Sequence, residues 1–463
     1  MALPEHAGNM EKAKRITAAA RLERLPFSPW HRKLAVLLGL GYLFDTFELF
    51  VGGFVIVPIS QTFRIPIPAT VDYVIVSLFL GAFFGGLTWS FLGDRIGRKP
   101  LFMYSLLLLS VGAFIVSLSS NIYEVAIFRF ISGFGVGAEV PTISTYVSEF
   151  FPAKKRGTYF AYMTTLGLLS AFSLAVAAYF LIPIHFIYPE GWRWLYLISS
   201  IGALTAWYYR LRLPESPRWL EVSGKSERAD ELVSSIEKEV MRLKGLSSLP
   251  EPEIVEVLPQ KRIPFADLFR APYTKRTVMA FILQFCQAGI FYGFGSLAPT
   301  ILVHEGIKVT TSLQYSLLIY ASYPLGPLLS LLYIDRFERK WQVPVIAAIL
   351  AVDGLAFAYT RNPVIIITTG FLFGLISQSW VGVFQTYATE IFPTRARIAG
   401  AVSSYSLSRL GSAFNLSILP TVLVLYGVLP TFIVIGLIAL VLIIDVLVLG
   451  PKTTGMKIEE VSK

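Results

Sequence analysis

Twelve long apolar runs dominate the sequence and leave few folds open. They lie near residues 34–58, 71–92, 101–120, 122–147, 158–182, 192–211, 277–301, 311–334, 342–360, 363–389, 398–425 and 428–449. Each has about 20 residues or more, enough for an α-helix to cross a hydrocarbon core of about 30 Å. Strands of a membrane β-barrel would be about ten residues long with alternating polarity, a pattern the sequence lacks. Of the 463 residues, 54% are hydrophobic and 15% charged. Soluble domains carry about 25% charged residues. The expectation is an all-α, polytopic membrane protein.

The net charge of +10 invites a nucleic-acid reading, but its distribution opposes one. Alternate loops and the tails hold 34 of the 40 lysines and arginines. By the positive-inside rule both termini and segment 210–276 face the cytoplasm. Residues 1–33 are polar and basic without a short apolar core, so no cleaved signal peptide is expected and the first span directs insertion. The single cysteine, Cys286, excludes an intrachain disulfide, and four histidines leave little for metal chemistry. No metal, cofactor or enzyme activity is expected, because no Gly-x-Ser-x-Gly elbow or Walker loop is present.

The chain is internally duplicated. Asp94-Arg95-Ile96-Gly97-Arg98-Lys99 returns as Asp335-Arg336-Phe337-Glu338-Arg339-Lys340, an offset of 241. Glu149-Phe150-Phe151-Pro152 returns as Glu390-Ile391-Phe392-Pro393 with the same offset of 241. Two motif pairs with one offset predict two pseudo-symmetric six-helix bundles. The expected organisation is a tail over 1–33, bundles over 34–211 and 276–450, a linker over 212–275 and a tail over 451–463. Within the linker, Ser226–Lys244 reads as an amphipathic surface helix with a Ser N-cap, and 250–264 as extended.

Twelve spans, the repeated D-R-x-G-R-K loop and a central linker resemble the major facilitator superfamily (MFS fold) over about residues 30–450. Pro214-Glu215-Ser216-Pro217-Arg218-Trp219-Leu220 is similar to the signature of the branch holding sugar porters, organic-ion transporters and phosphate symporters. Asp94, Arg95, Arg98, Glu149 and Arg156 then form an expected cytoplasmic gate in the first half. Asp335, Arg339, Glu390 and Arg395 do so in the second, with plain topology anchoring as the simpler alternative.

Ionisable groups inside the spans carry the expected mechanism, since each is costly in lipid unless paired or hydrated. Asp45 in span 1 and Arg129 in span 4 fall at similar depths, about 17 Å from one face and about 11 Å from the other in a core of about 30 Å. An Asp45–Arg129 contact is therefore expected, either as a proton-coupling device or as a static pair. The resemblance implies the former, as proton-coupled sugar porters carry Asp and Arg at matching positions. Glu48 and Glu139 are further protonatable candidates. Their surroundings, Asp45-Thr46-Phe47-Glu48-Leu49-Phe50 and Gly133-Phe134-Gly135-Val136-Gly137-Ala138-Glu139, resemble patterns of aromatic-acid and phosphate symporters. Glu139 paired with Arg156 is the alternative. Asp353 and Asp445 receive no functional role.

For substrate, Arg409 in span 11 suits a carboxylate, which a guanidinium grips bidentately. Pairing with Glu48 or Asp353 is the alternative. The resemblance implies contacts from Gln284, Gln287 and Tyr292 in span 7, Trp380 in span 10 and Thr164 in span 5. Gln378, Gln385 and Asn415 add polarity to spans 10 and 11. The missing span-7 Asn and span-5 Gln oppose a typical hexose site. The reading is a monomeric secondary transporter of the cell membrane, moving a small polar metabolite with protons and favouring an organic anion. A sugar:proton symporter or facilitative sugar porter is the nearer alternative, and a transport-inactive sensor or receptor the more distant one.

Overall fold

The computed structural model describes residues 14–15, 17–137, 139–184, 190–252, 255–256, 265–271, 273–392 and 394–453. At 14–15, 90, 91, 94, 141, 153–157, 255–256, 265–266, 389, 394–399, 401 and 402 the description is of the backbone alone. The side chains of Asp94, Arg156 and Arg395 thus lie outside the described residues, as does most of the stretch 250–264.

The described residues are mostly helical. A short α1 (Ala18–Glu23) precedes α2 (Pro29–Phe63). Then α3 (Ile67–Val71) runs through one π turn into α4 (Ser77–Ile96), followed by α5 (Arg98–Leu118), α6 (Ile122–Val136) and α7 (Glu139–Phe150). The first half closes with α8 (Ala153–Leu181) and α9 (Trp192–Arg210). The linker holds α10 (Pro217–Val222) and α11 (Ser226–Lys244). The second half contains α12 (Thr274–His304), α13 (Val309–Tyr320), α14 (Gly326–Ser330), α15 (Arg339–Tyr359), α16 (Pro363–Glu390), α17 (Thr394–Tyr426) and α18 (Val428–Leu449).

Among the described residues, nine helical stretches are long and apolar enough to cross a membrane. The other three runs of the sequence are covered by broken or more polar helices. One turns at Gly137 between α6 and α7. Another breaks between α13 and α14, where Pro324 and Pro327 flank Gly326 and cannot donate to a continuous helix. The third, α9, carries Trp, Tyr, Ser and Arg on several faces.

Local chemistry fixes the ends. The side chain of Asn121 accepts from the Glu124 N–H at 3.0 Å and that of Asn362 from the Val364 N–H at 2.9 Å, starting α6 and α16. Gly97, with φ 103°, turns the chain from α4 into α5. The linker helix α11 spans the stretch read as amphipathic, but its N-cap is Lys225 rather than Ser226, and Gly245 in the left-handed region ends it.

In the first half α2 packs on α8 and α9, α5 on α6 and α9, and α4 on α6. The α4–α6 contact is backbone on backbone: a Cβ at Gly81 would strike the Phe130 carbonyl, and one at Gly133 the Leu78 carbonyl. In the second half α12 packs on α17 and α18, and α15 on α16 and α18. The halves meet where α4 touches α17, α2 touches α12, and α8 touches α13.

The linker is held to the first half by its start. Arg21 and Arg24 both donate to the Glu237 carboxylate of α11, each at 2.6 Å. The Ala18 N–H, at the first turn of α1, donates to Glu221 at 2.6 Å. Lys14–Arg15 pairs antiparallel with Val255–Glu256 in a two-residue ladder.

Candidate functional site

Both halves wall a central cavity of about 60 Å³. Tyr42, Thr46 and Thr164 face it from the first half, and Gln287, Tyr292 and Arg409 from the second. On the side away from the linker it is roofed by aromatic rings. Phe50 lies 5.4 Å from Tyr323 and 6.2 Å from Tyr292, and Phe54 lies 5.0 Å from Tyr320. Just beyond the roof α2 and α12 cross closely, and a Cβ at Gly53 would sit 2.5 Å from the Ser296 carbonyl oxygen.

Among the described residues Arg409 is the cation lining the cavity, and it is 4% exposed. One terminal nitrogen donates to the Tyr292 hydroxyl at 2.8 Å and the other to the Tyr405 hydroxyl. Its guanidinium carbon lies 4.9 Å from the Tyr405 ring centre. Its Nε has no hydrogen-bond partner among the described residues, and none of their carboxylates forms an ion pair with it. Neutral phenols thus hold the guanidinium in place while leaving its charge uncompensated by direct contact.

Asp45 is buried on α2 between cavity-lining Tyr42 and Thr46. Neither carboxylate oxygen finds a hydrogen-bond partner among the described residues. Its charged surroundings are Glu139 and Glu48 on one side of the balance and Arg409 and Arg210 on the other. The expected Asp45–Arg129 contact is not formed.

Arg129 belongs to Glu48 instead, at 2.5 Å with both side chains fully buried. Ser199 on α9 donates to the other Glu48 oxygen at 2.6 Å, and Arg129 Nε donates to the Val74 carbonyl at 2.7 Å. The guanidinium also lies 5.4 Å from the Tyr196 ring centre. Depth fixes where a charge lies along the membrane normal but not around the helix. Three residues separate Asp45 from Glu48, about 60° of rotation. That rotation turns Glu48 to α6 and α9 and leaves Asp45 beside the cavity.

Glu139 pairs with Arg210, a residue shared by the apolar run 192–211 and the basic segment 210–276. Two guanidinium nitrogens reach the two carboxylate oxygens, one of them at 3.0 Å. The Phe102 ring centre lies 3.7 Å from the guanidinium carbon, and both ionic side chains are buried. The available signal was position: Arg210 closes the last turn of an apolar run.

The other candidates divide. Gln287, Tyr292, Thr164 and Gln385 line the cavity. Gln284 accepts from Gln287 at 3.1 Å and stands behind it. Trp380 is fully buried against Phe384, with rings 5.3 Å apart, and is not a wall of the cavity. Asn415 donates to the Gly411 carbonyl at 2.7 Å and borders an apolar crevice with Phe285, Cys286 and Phe414 instead. Sequence reading missed Tyr42 and Tyr405, which periodicity alone cannot separate from packing aromatics.

At the linker end, Glu149 accepts a hydrogen bond from Ser216 of the P-E-S-P-R-W-L segment. Burial pushes the Glu149 carboxyl above its ordinary range, against the Ser216 hydrogen bond and the Arg98 and Arg218 charges. Arg98 donates to the Gly93 carbonyl at 2.5 Å, and Arg95 is exposed. Glu215 of the same segment accepts from the Arg98 and Lys99 N–H groups at 2.9 and 3.1 Å, capping α5. In the second half Arg339 bridges Asp335 at 2.9 Å and Glu390 at 3.3 Å.

Comparison with known proteins gives one consistent answer. The family model described as sugar (and other) transporter matches residues 35–463. The putative metabolite transport protein YyaJ of Bacillus subtilis (strain 168) is 31% identical, covering 95% of this chain and 97% of that protein. The niacin transporter NiaP of Acinetobacter baylyi (strain ATCC 33305 / BD413 / ADP1) is 26% identical, covering 96% and 99%. A crystal structure of a D-xylose-proton symporter superposes with a TM-score of 0.72 at 18% identity, covering 92% of this chain and all of that one. The fold is the twelve-helix major facilitator fold, and this multi-pass membrane protein, a transporter and not an enzyme, belongs to the sugar (and other) transporter family.

Proposed function

We propose that the protein imports a small organic anion together with a proton by alternating access. Arg409 grips the carboxylate and Asp45 carries the proton. The observation that carries this reading is a buried guanidinium at the cavity, held by two phenols and with no carboxylate paired to it among the described residues. The similarity to a niacin transporter supports it, because niacin is a ring-bearing carboxylate. Similarity to a D-xylose-proton symporter supports the coupling ion.

In this mechanism the linker and both termini are cytoplasmic. Without substrate, Arg409 is the second-half cation whose charge acts on Asp45. An arriving carboxylate takes that charge, and Asp45 then takes up a proton from outside. The loaded cavity is neutral, so the halves can rock without exposing an unpaired charge to lipid. Release of anion and proton inside restores the opposition of Asp45 and Arg409. One proton moves with one monoanion, and the cycle carries no net charge. The Glu48–Arg129 and Glu139–Arg210 pairs brace the first half in this scheme.

A sugar is the second reading, favoured by the amides of Gln287, Gln378 and Gln385 around the same cavity. Uptake into proteoliposomes under an inward acid gradient separates the two. Labelled monocarboxylates, dicarboxylates and sugars are compared for the wild type and Arg409→Ala. The proposal expects monocarboxylate uptake that falls at least about 100-fold in the variant, the scale of losing a bidentate charged contact. Sugar uptake indifferent to Arg409 would overturn it.

A further inference from the structure

Gln378 is 1% exposed, and both its amide nitrogen and its amide oxygen lack hydrogen-bond partners among the described residues. It lines the cavity with Val381 and Gln385, three and seven residues further along α16, on one helix face. The other amides differ. Gln287 is tied to Gln284, and Gln385 is only half-buried. An amide with two free donors and a free acceptor, buried at a ligand cavity, is costly unless something in the cavity satisfies it.

The amide is also held in place. Gly326 of α14 lies directly on this turn of α16; a Cβ there would strike the Gln378 Cβ and approach the Ser379 nitrogen to 2.8 Å. Only glycine leaves room, and the close contact prevents this turn from drawing back from the cavity. Depth gives the geometry. Counting from the turn that joins α16 and α17, Gln378 lies about 18 Å and Arg409 about 22 Å into the membrane. The two sit at nearly one level, on neighbouring helices of the same half, and bound the same cavity.

We infer that Gln378 is a second substrate anchor, which reads a neutral hydrogen-bonding group at the end of the ligand away from its carboxylate. The inference rests on the anion reading above and narrows it. The ligand class is a compact, single-ring monocarboxylate carrying a hydroxyl or a heterocyclic nitrogen. A ring acid without such a group leaves the amide unsatisfied and is discriminated against.

The test is uptake of benzoate, hydroxybenzoates and pyridine carboxylates into proteoliposomes under an acid gradient, with the wild type and the near-isosteric Gln378→Met. The wild type is expected to prefer at least one polar ring acid over benzoate by about 10-fold or more in kcat/KM. In Gln378→Met that preference falls to about one, because the polar acids lose more than benzoate does. Thermal unfolding of the ligand-free variant is measured alongside. The expected Tm is equal to or above that of the wild type, because an unsatisfied buried amide has been removed. A packing role would lower the Tm and slow all the acids alike, overturning the inference. So would a wild-type preference that survives in the variant, or equal handling of benzoate and the polar acids by the wild type. No uptake of any acid would instead defeat the anion reading, and this inference with it.

Discussion

Arg129 and Glu48 meet at 2.5 Å with neither side chain exposed, and Ser199 from a third helix completes the carboxylate's hydrogen bonding. Three helices of the first half are therefore tied at one buried point. Removing one member leaves the other charged and unsatisfied, which costs about 3–5 kcal/mol, whereas replacing both by apolar side chains is often close to neutral. Glu48→Met and Arg129→Met should each unfold at much lower temperature than the wild type in detergent. The double variant Glu48→Met/Arg129→Met should regain most of the loss. Additive losses in the double variant would show that the two side chains act separately.

Asp45 has no such partner among the described residues. Asp45→Asn should leave the thermal stability unchanged or higher, because it removes an unpaired buried carboxylate. Accumulation driven by a pH gradient should vanish, while exchange of labelled for unlabelled substrate persists. Gradient-driven accumulation retained in Asp45→Asn removes this residue from the coupling step.

The clasp between α1 and the linker should depend on pH. Burial alone would raise the Glu237 carboxyl, but the hydrogen bonds and charges of Arg21 and Arg24 outweigh it and hold the group below its ordinary range. A lowered carboxyl stabilises the docked state above its unfolded value of about 4.3, and the contribution is lost as pH falls through the docked value. Hydrogen exchange should therefore show α1 protected from neutral pH down to about 5 and released at more acid pH. Glu237→Gln should be less protected at neutral pH and nearly flat below it. Equal protection of variant and wild type at neutral pH would rule out the carboxylate as the clasp.

The α2–α12 crossing gives a conformational prediction. Gly53→Val places side-chain atoms where the Ser296 carbonyl lies, 2.5 Å from even a Cβ. The halves should then fail to close on the side away from the linker. Transport should drop by about 10-fold or more, as expected when a gating step is blocked. A cysteine introduced at Phe54 should become more reactive to a membrane-impermeant thiol reagent from that side. Unchanged labelling would mean that the crossing does not limit closure.

The sequence made the helical membrane class, the span count and the linker helix legible, because hydropathy and length respond to lipid in one dimension. Pairing was not legible in that dimension. Asp45 and Glu48 compete for Arg129 by azimuth, which a depth estimate cannot see, and the packed helices choose Glu48. Arg210 counts with the cytoplasmic cations of segment 210–276 although it ends the run 192–211, and the fold pairs it with Glu139. Trp380 and Gln378 are two residues apart on α16, about 200° around the helix. One faces the protein interior and the other the cavity, a difference that residue type alone does not carry.

Tyr292 has two ends that answer to different parts of the molecule. Its hydroxyl receives the Arg409 hydrogen bond. Its ring packs edge-on to Phe79 of α4 at 4.7 Å and tilts against Phe50 of α2 at 6.2 Å, both in the opposite half. Whatever draws the guanidinium toward a ligand also pulls on a ring that helps seal the roof. Thermodynamic linkage then runs both ways: a sealed roof must alter the grip on the ligand by the same free energy with which the ligand alters the sealing. A single side chain can in this way make occupancy and closure two readings of one equilibrium.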